Sequence, residues 1–356
     1  MCVRWPVSLA LIISAFLGGA GLFRPAVQAG KSWFVSAESA GRPEPSEPPV
    51  CQLQKSATLS ALDRILISGA SGLIGSALVS SLESHGCKVT RLVRRETGGA
   101  NEVRWDPMHV VPPDLVSSFD TIIHLSGESV AGRWTAKKKK RIRDSRVVST
   151  QSLSNALATA ATPPKTFICA SAIGYYGSRG DEILNEESPS GTGFLAEVCR
   201  EWEAATEAAA HAGIRAVNLR IGLVLSPNGG ALKQMLWPFR LGLGGKVGSG
   251  RQWWSWIHIE DLVFAVHHIL QNNFLKGPVN MTAPSPVTNS EFTQILAGVL
   301  KRPAILPVSA FAARLAFGEF ADEGLLASAR VMPRMLMESG FEFRNQELQP
   351  ALKDFL

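Results

Sequence analysis

The amino-acid sequence predicts an α/β fold, a doubly wound parallel sheet with a smaller C-terminal region beside it, and three observations carry this. An apolar run, Ile65-Leu66-Ile67, leads into the glycine-spaced turn Gly69-Ala-Ser-Gly72-Leu-Ile-Gly75 and then into an amphipathic stretch from Ile74 through Leu78 to Leu82. Strand, tight turn and helix therefore stand in the order a dinucleotide site requires. Downstream, strand and helix patterns keep alternating, which argues for parallel strands covered on both faces. With 356 residues and 46% apolar content, the chain can bury a large core without disulfide or metal staples.

Each element can be justified in turn. At the first crossover Gly69 lets the chain turn without a Cβ clash, Gly72 lets the backbone approach a pyrophosphate, and Gly75 lets the helix pack on its strand. The helix N-terminus then offers free N–H groups and a partial positive charge to phosphates. Gly69, Ser71, Gly72, Leu73, Ile74 and Gly75 are thus the candidate cofactor residues of a Rossmann-type unit. The second strand, Val89 to Val93, ends in Arg94 and Arg95 with no carboxylate before Glu96. An NAD site places Asp or Glu about twenty residues past the turn for the ribose 2′-hydroxyl, whereas arginine there suits a 2′-phosphate. The expected cofactor is therefore NADP(H), with Arg94 the first candidate ligand and Arg95 the second. Further strands are expected over 103–107, 119–125, 165–171 and 215–224, with helices over 135–161 and from 194 to about 212.

The first sixty-two residues do not belong to this fold. The stretch between Arg4 and Arg24 is uncharged and mostly apolar, and Val27-Gln-Ala29 resembles a small-residue cleavage site. A signal peptide, a membrane anchor, part of a bipartite targeting sequence and sequence upstream of a wrongly assigned start codon would all look like this. From Ser36 to Asp63 the composition turns to Ser, Pro, Glu and Ala without periodicity, as in a linker. The expected organisation is 1–62 as leader and linker, 63–280 as the nucleotide-binding domain and 281–356 as a small C-terminal domain. Reduced pyridine nucleotide is scarce outside cells, so the folded part is expected in cytoplasm or an organelle interior, with membrane contact only if the leader is a true anchor. The net charge of +6 is modest and dispersed, which argues against nucleic acid as a partner and leaves a small molecule. Five cysteines without a C-x-x-C pair, and His267-His268 without a third ligand, give no reason to expect a metal.

A set of motifs in order carries a resemblance: Ser68 to Gly75, Asp120-Thr-Ile-Ile-His-Leu-Ser-Gly-Glu128, Arg133-Trp134, Ser145-Arg146, Ser171-Ala-Ile-Gly-Tyr-Tyr-Gly177, Trp202-Glu203, and Gly248 through the Trp-rich segment to Asp261. Over roughly residues 63 to 354 the chain resembles the atypical extended short-chain dehydrogenase/reductases often called epimerase family proteins, related to sugar-nucleotide epimerases and dehydratases. Its tail, through Gly318-Glu-Phe to Gly340-Phe-Glu-Phe343, resembles the C-terminal domain of unknown function that marks the group. The resemblance implies that the backbone of Leu125 and Ser126 lines the adenosine side of the groove and that Leu223 and Val224 lie near the nicotinamide. It also sets Arg146 and Thr150 where relatives show Asn and Thr; Arg146 then reaches a cofactor phosphate or tethers helix to sheet.

The relatives' chemistry uses a Tyr-x-x-x-Lys pair, in which lysine lowers the tyrosine pKa and a serine holds the substrate oxygen. Here the expected tyrosine falls on Phe194 and the expected lysine on Val198, neither of which can move a proton. The two tyrosines of the chain stand together at Tyr175-Tyr176, so proton transfer by tyrosine must use one of them beside Ser171; packing is the alternative. His124, Glu128, Glu201 and Glu203 are spare acid–base candidates. The run Lys137 to Arg143 reads as a solvated face or a cationic rim, and Trp253, Trp254 and Trp256 as packing or a substrate-cleft wall. Two functions stay open: an NADP(H)-dependent oxidoreductase or epimerase on a small substrate, nucleotide-linked or free, or a catalytically silent NADP(H)-sensing protein of the kind associated with plastid division in plants.

Overall fold

The computed structural model describes residues 64–356, so the leader and linker expected in the first sixty-two residues lie outside the described part. Seven parallel strands form one sheet in the order β11-β7-β5-β4-β1-β2-β3, the doubly wound arrangement that the alternating pattern predicted. The strands are β1 Arg64–Ser68, β2 Lys88–Val93, β3 Glu102–Arg104, β4 Thr121–His124, β5 Thr166–Ala172, β7 Arg215–Ile221 and β11 Gly277–Met281. A two-residue strand β6, Ile183–Leu184, pairs outside this sheet with β13, Arg330–Val331.

Alternation along the strands decides which helices cover which face. Ile65 and Ile67 join α1, Leu73–Ser84, and α7, Ile259–Gln271, in one core. Leu66, Ile122, Phe167 and Cys169 face the other way, onto α2, Pro113–Val116, α3, Ala136–Thr159, α4, Phe194–Ala204, and α5, Glu207–His211. The expected helix from 194 to about 212 is thus two helices with a break at Ala205-Thr206, where the Asn218 side chain of β7 donates to Thr206 Oγ1 at 3.3 Å.

The strand expected over 215–224 also breaks. At Gly222 the chain passes so close to Ser255 that a Cβ would lie 2.6 Å from its carbonyl oxygen, and β8, Leu223–Leu225, then pairs with β10, Trp256–His258. Beyond β8 the chain builds a second core from α6, Gly230–Arg240, α8, Asn289–Leu300, and α11, Leu348–Lys353, around Trp256 and Phe292. A Thr288–Glu291 capping box starts α8, and the preceding β12, Val287–Thr288, pairs antiparallel with β9, Trp253–Trp254.

The last fifty or so residues spread over several partners. Helix α9, Ala310–Phe317, and a π turn, Ala321–Leu325, form a small cluster of their own. Leu336 of α10, Arg334–Glu338, and Phe343 join the sheet core, whereas α11 joins the second core. Among the described residues no helix is long and apolar enough to cross a membrane.

Candidate functional site

The glycine turn has the geometry its spacing implied. Gly69 adopts φ of +73°, and a Cβ there would stand 2.8 Å from the Leu125 carbonyl carbon. A Cβ on Gly75 would meet the Gly69 carbonyl oxygen at 2.2 Å, so the first turn of α1 presses directly on the loop. A Cβ on Gly72 would approach only that same oxygen, at 3.3 Å, which leaves its outer side open to a ligand. No side chain caps α1 at Gly72, and the leading N–H groups of Leu73, Ile74 and Gly75 remain available for phosphate oxygens. Leu125 N donates to Ser68 O at 3.2 Å, so Leu125 and Ser126 run beside the turn at the end of β4. The segment Gly229-Gly230 leans over α1 from the other side; a Cβ on either would sit 3.2 Å from a Leu73 methyl.

The two arginines after β2 differ. Arg95 is held by Glu102, with N···O distances of 2.6 and 3.1 Å. Arg94 is exposed and, among the described residues, has no ion-pair partner. The residues fit a nicotinamide dinucleotide, and of the two arginines after β2 Arg94 is the one left open.

Beyond the carboxyl ends of β5 and β7 lies a cavity of about 420 Å³. Its floor is Ala172, Ile173, Ile221 and Gly222, and Leu223 enters it from β8. Val224, the neighbour that points the other way, packs against the sheet core, as do Ile74 and Leu125 of the glycine-turn groove. Arg146 lines the cavity: its guanidinium lies 5.0 Å from the Trp202 ring and donates to Ile142 O in its own helix at 3.0 Å. It pairs with no carboxylate among the described residues, and burial pulls its pKa below the ordinary arginine value. Thr150, one turn on, is turned into the core, where it accepts from Trp202 Nε1 at 2.9 Å.

The structure brings Ser171, Tyr175 and Tyr176 together, but around Arg220 and not around the cavity. Ser171 Oγ donates to Glu203 Oε1 at 2.7 Å, and Arg220 donates to both Glu203 oxygens at 2.8 Å. Arg220 Nη1 also donates to the Tyr176 hydroxyl at 2.9 Å, and that hydroxyl donates to Asn280 Oδ1 at 2.7 Å. The Tyr175 ring lies 3.5 Å from the Arg220 guanidinium carbon, a cation–π contact. Burial pushes the Tyr176 phenol up to about 12. Although burial pulls Arg220 down, its bonds to Glu203 hold it above its ordinary value. The reason Ser171 misses the cavity is again alternation: Ala172 lines it and Ser171 points away.

The other acid–base candidates are also engaged. His124 Nδ1 meets Ser68 Oγ at 2.6 Å and its Nε2 meets Ser149 Oγ at 3.1 Å, and burial pushes its pKa down to about 3. Glu128 pairs with Lys138 at 2.9 Å, and Glu201 with Arg143 at 2.5 Å. The cationic run is therefore largely ion-paired, with Lys139 on Glu319, Lys140 on Asp144 and Arg141 on Glu128 as well. The three tryptophans divide: Trp253 and Trp254 line the cavity, whereas Trp256 is buried in the second core with Nε1 donating to Ser285 O at 3.0 Å.

Phe194 opens α4 with its ring edge-on to Trp134 at 5.1 Å, and Val198 is buried in the cavity wall. A residue that sequence reasoning missed stands beside them. Glu323, from the π turn, accepts the backbone N–H of Phe194 at 2.9 Å and of Leu195 at 2.7 Å, capping α4 from the C-terminal segment while lining the cavity. No local pattern near Glu323 signals this, since its partners lie 128 and 129 positions earlier.

Comparison with known proteins agrees with this architecture. The NAD dependent epimerase/dehydratase family model matches residues 65–281, and a domain of unknown function, DUF1731, matches residues 308–355. An epimerase family protein of Mycobacterium bovis is 44% identical over 290 residues, covering 81% of this chain and 96% of that protein. The crystal structure of human epimerase family protein SDR39U1 with NADPH superposes with a TM-score of 0.76 at 35% identity, covering 82% of this chain and 98% of that one. A structure described as a nucleoside-diphosphate sugar epimerase of Corynebacterium glutamicum is 37% identical with a TM-score of 0.70, covering 82% of this chain and 58% of that one. The sheet order, the glycine turn and the C-terminal segment that walls the cavity thus place the chain in the NAD-dependent epimerase/dehydratase family, among the epimerase family proteins of the SDR39U1 type.

Proposed function

We propose that the protein is an NADP(H)-dependent oxidoreductase of the extended short-chain type, acting on a small molecule held in the cavity at the strand ends. The observation that carries this is the cavity itself. A protein that only bound the dinucleotide would need the groove, whereas here a chamber of about 420 Å³ adjoins the strand ends where the nicotinamide of such a fold is presented. NADP(H) is favoured over NAD(H) by the open Arg94, with Arg95 held back by Glu102, and the human relative solved with NADPH supports the same choice. Such a cofactor suits cytoplasm or an organelle interior.

When bound, the dinucleotide would supply hydride chemistry. This chain's own residues would grip the phosphates through the N-terminus of α1 and the 2′-phosphate through Arg94, and wall the substrate off from water. Proton transfer would not pass through Ser171 or Tyr176, whose hydroxyls are engaged with Glu203, Arg220 and Asn280, nor through Tyr175, whose ring lies on Arg220 and which does not line the cavity. Titration of wild type and Arg94→Ala with NADPH and NADH tests the cofactor; the variant should lose about tenfold or more in NADPH affinity and little in NADH affinity. An unchanged NADPH preference would remove Arg94 from the site. NADPH consumption across a panel of carbonyl compounds tests turnover.

A second reading, a catalytically silent NADP(H) sensor, is favoured by Phe194 and Val198 at the positions of the missing pair. Tight NADPH binding without hydride exchange on any substrate would select it.

A further inference from the structure

The wall of the cavity restricts what can enter it. Among the described residues only two charged side chains line it, Arg146 and Glu323. Both Glu323 oxygens are already bound by the first N–H groups of α4, and the carboxylate adds negative charge to the wall. Of the other polar side chains of the wall, Ser255 Oγ donates to Ala329 O and accepts from Val331 N, both at 2.8 Å, and Asn289 Oδ1 accepts from Val247 N at 2.8 Å. Among the described residues this leaves the Thr293 hydroxyl and the buried, unpartnered Trp254 Nε1 as the few uncharged groups that a ligand oxygen could meet. The end of the chamber away from the strands is built from Met235, Phe239, Trp254, Phe292, Phe317 and Phe320.

A sugar nucleotide brings two phosphate charges and a ring of hydroxyls. Without partners, each buried hydroxyl weakens binding and each buried charge weakens it several times more. One arginine at the strand end does not satisfy such a ligand, and a carboxylate in the wall repels it. An apolar body, in contrast, gains from every aromatic surface it covers.

We propose that the cavity takes an uncharged, mostly apolar small molecule bearing a single carbonyl or hydroxyl oxygen, and that it excludes nucleotide-linked sugars. This rests on the oxidoreductase reading of the same site. The apolar body lies against the aromatic end, and its one oxygen lies toward Ala172 and Gly222, where the nicotinamide is expected.

The test uses the full chain loaded with NADPH, titrated with 2-undecanone, 1-acetonaphthone and UDP-glucose, with binding followed by tryptophan fluorescence and calorimetry. The two ketones should bind saturably and at least about tenfold more tightly than UDP-glucose. Met235→Trp, which fills the chamber, should weaken the ketones by about tenfold or more while the NADPH titration stays unchanged. Ala231→Leu serves the same purpose if the larger substitution prevents folding. Tighter binding of UDP-glucose, ketone binding that neither filling variant alters, or no ketone binding overturns the proposal. If NADPH itself does not bind, the oxidoreductase reading falls, and the same ketone and UDP-glucose titrations of the nucleotide-free chain still decide what the cavity accepts.

Discussion

Two neighbouring residues of β5 open onto regions of opposite character. Ser171 faces a cluster in which Glu203, Arg220, Tyr176 and Asn280 satisfy one another, whereas Ala172 faces a chamber walled by aromatic and aliphatic side chains. The chain contains serine, tyrosine and charged groups of the kind that reductases use, but packing has consumed them on one side. On the other side, the positions that line the cavity at the strand ends are apolar. The difference teaches that a residue type at a family position is not yet a role; the role depends on which way the strand turns it.

The comparison can be broken most forcefully at Glu203. Glu203→Ala leaves Arg220 buried without its carboxylate and should destabilise the protein by about 3–5 kcal/mol in urea unfolding. If the cluster is structural, NADPH affinity of the folded fraction is unchanged; a selective loss of that affinity with normal stability would make Glu203 part of the cofactor site.

Acid should loosen the same side of the molecule. His124 is held near 3, below the ordinary histidine value of 6.5, so above about pH 6.5 its contribution is complete, and as pH falls toward 3 the unfolded chain takes up a proton that the folded one refuses. Between about pH 7 and about pH 5 this should remove about 2 kcal/mol of stability, and His124→Asn should take that share out of the profile, leaving the share of His267, which burial pulls down to about 4. A wild-type profile that is flat over this range would show that His124 is protonated in the fold.

Smaller effects sharpen the contrast. Tyr176→Phe removes a hydroxyl bonded to Arg220 and Asn280 and should cost about 1–3 kcal/mol in thermal unfolding without changing hydride exchange. Tyr175→Phe keeps the ring over Arg220 and should shift stability by less than about 0.5 kcal/mol. Loss of exchange in either variant would return that tyrosine to the site.

The glycine turn was legible because its geometry is set by backbone. Gly69 and Gly75 are demanded by contacts within a few residues or across one strand pair, and the spacing displays them directly. The strands and helices were legible in place but not in their breaks: the Gly222 break answers to Ser255, more than thirty positions away. Periodicity shows that Ser171 and Ala172 point opposite ways without showing which of them looks into the cavity. Glu323 could not be found at all, since nothing local ties a π-turn carboxylate to the start of α4.

That cap has a consequence for how the molecule is made. The first two donors of helix α4 wait for a residue that follows them by 129 and 128 positions. During synthesis from the N-terminus, the nucleotide-binding half can assemble its sheet early, but the mouth of the cleft stays open until the final segment emerges. A ribosome-stalled or prematurely terminated product would therefore keep its glycine turn and lose its chamber.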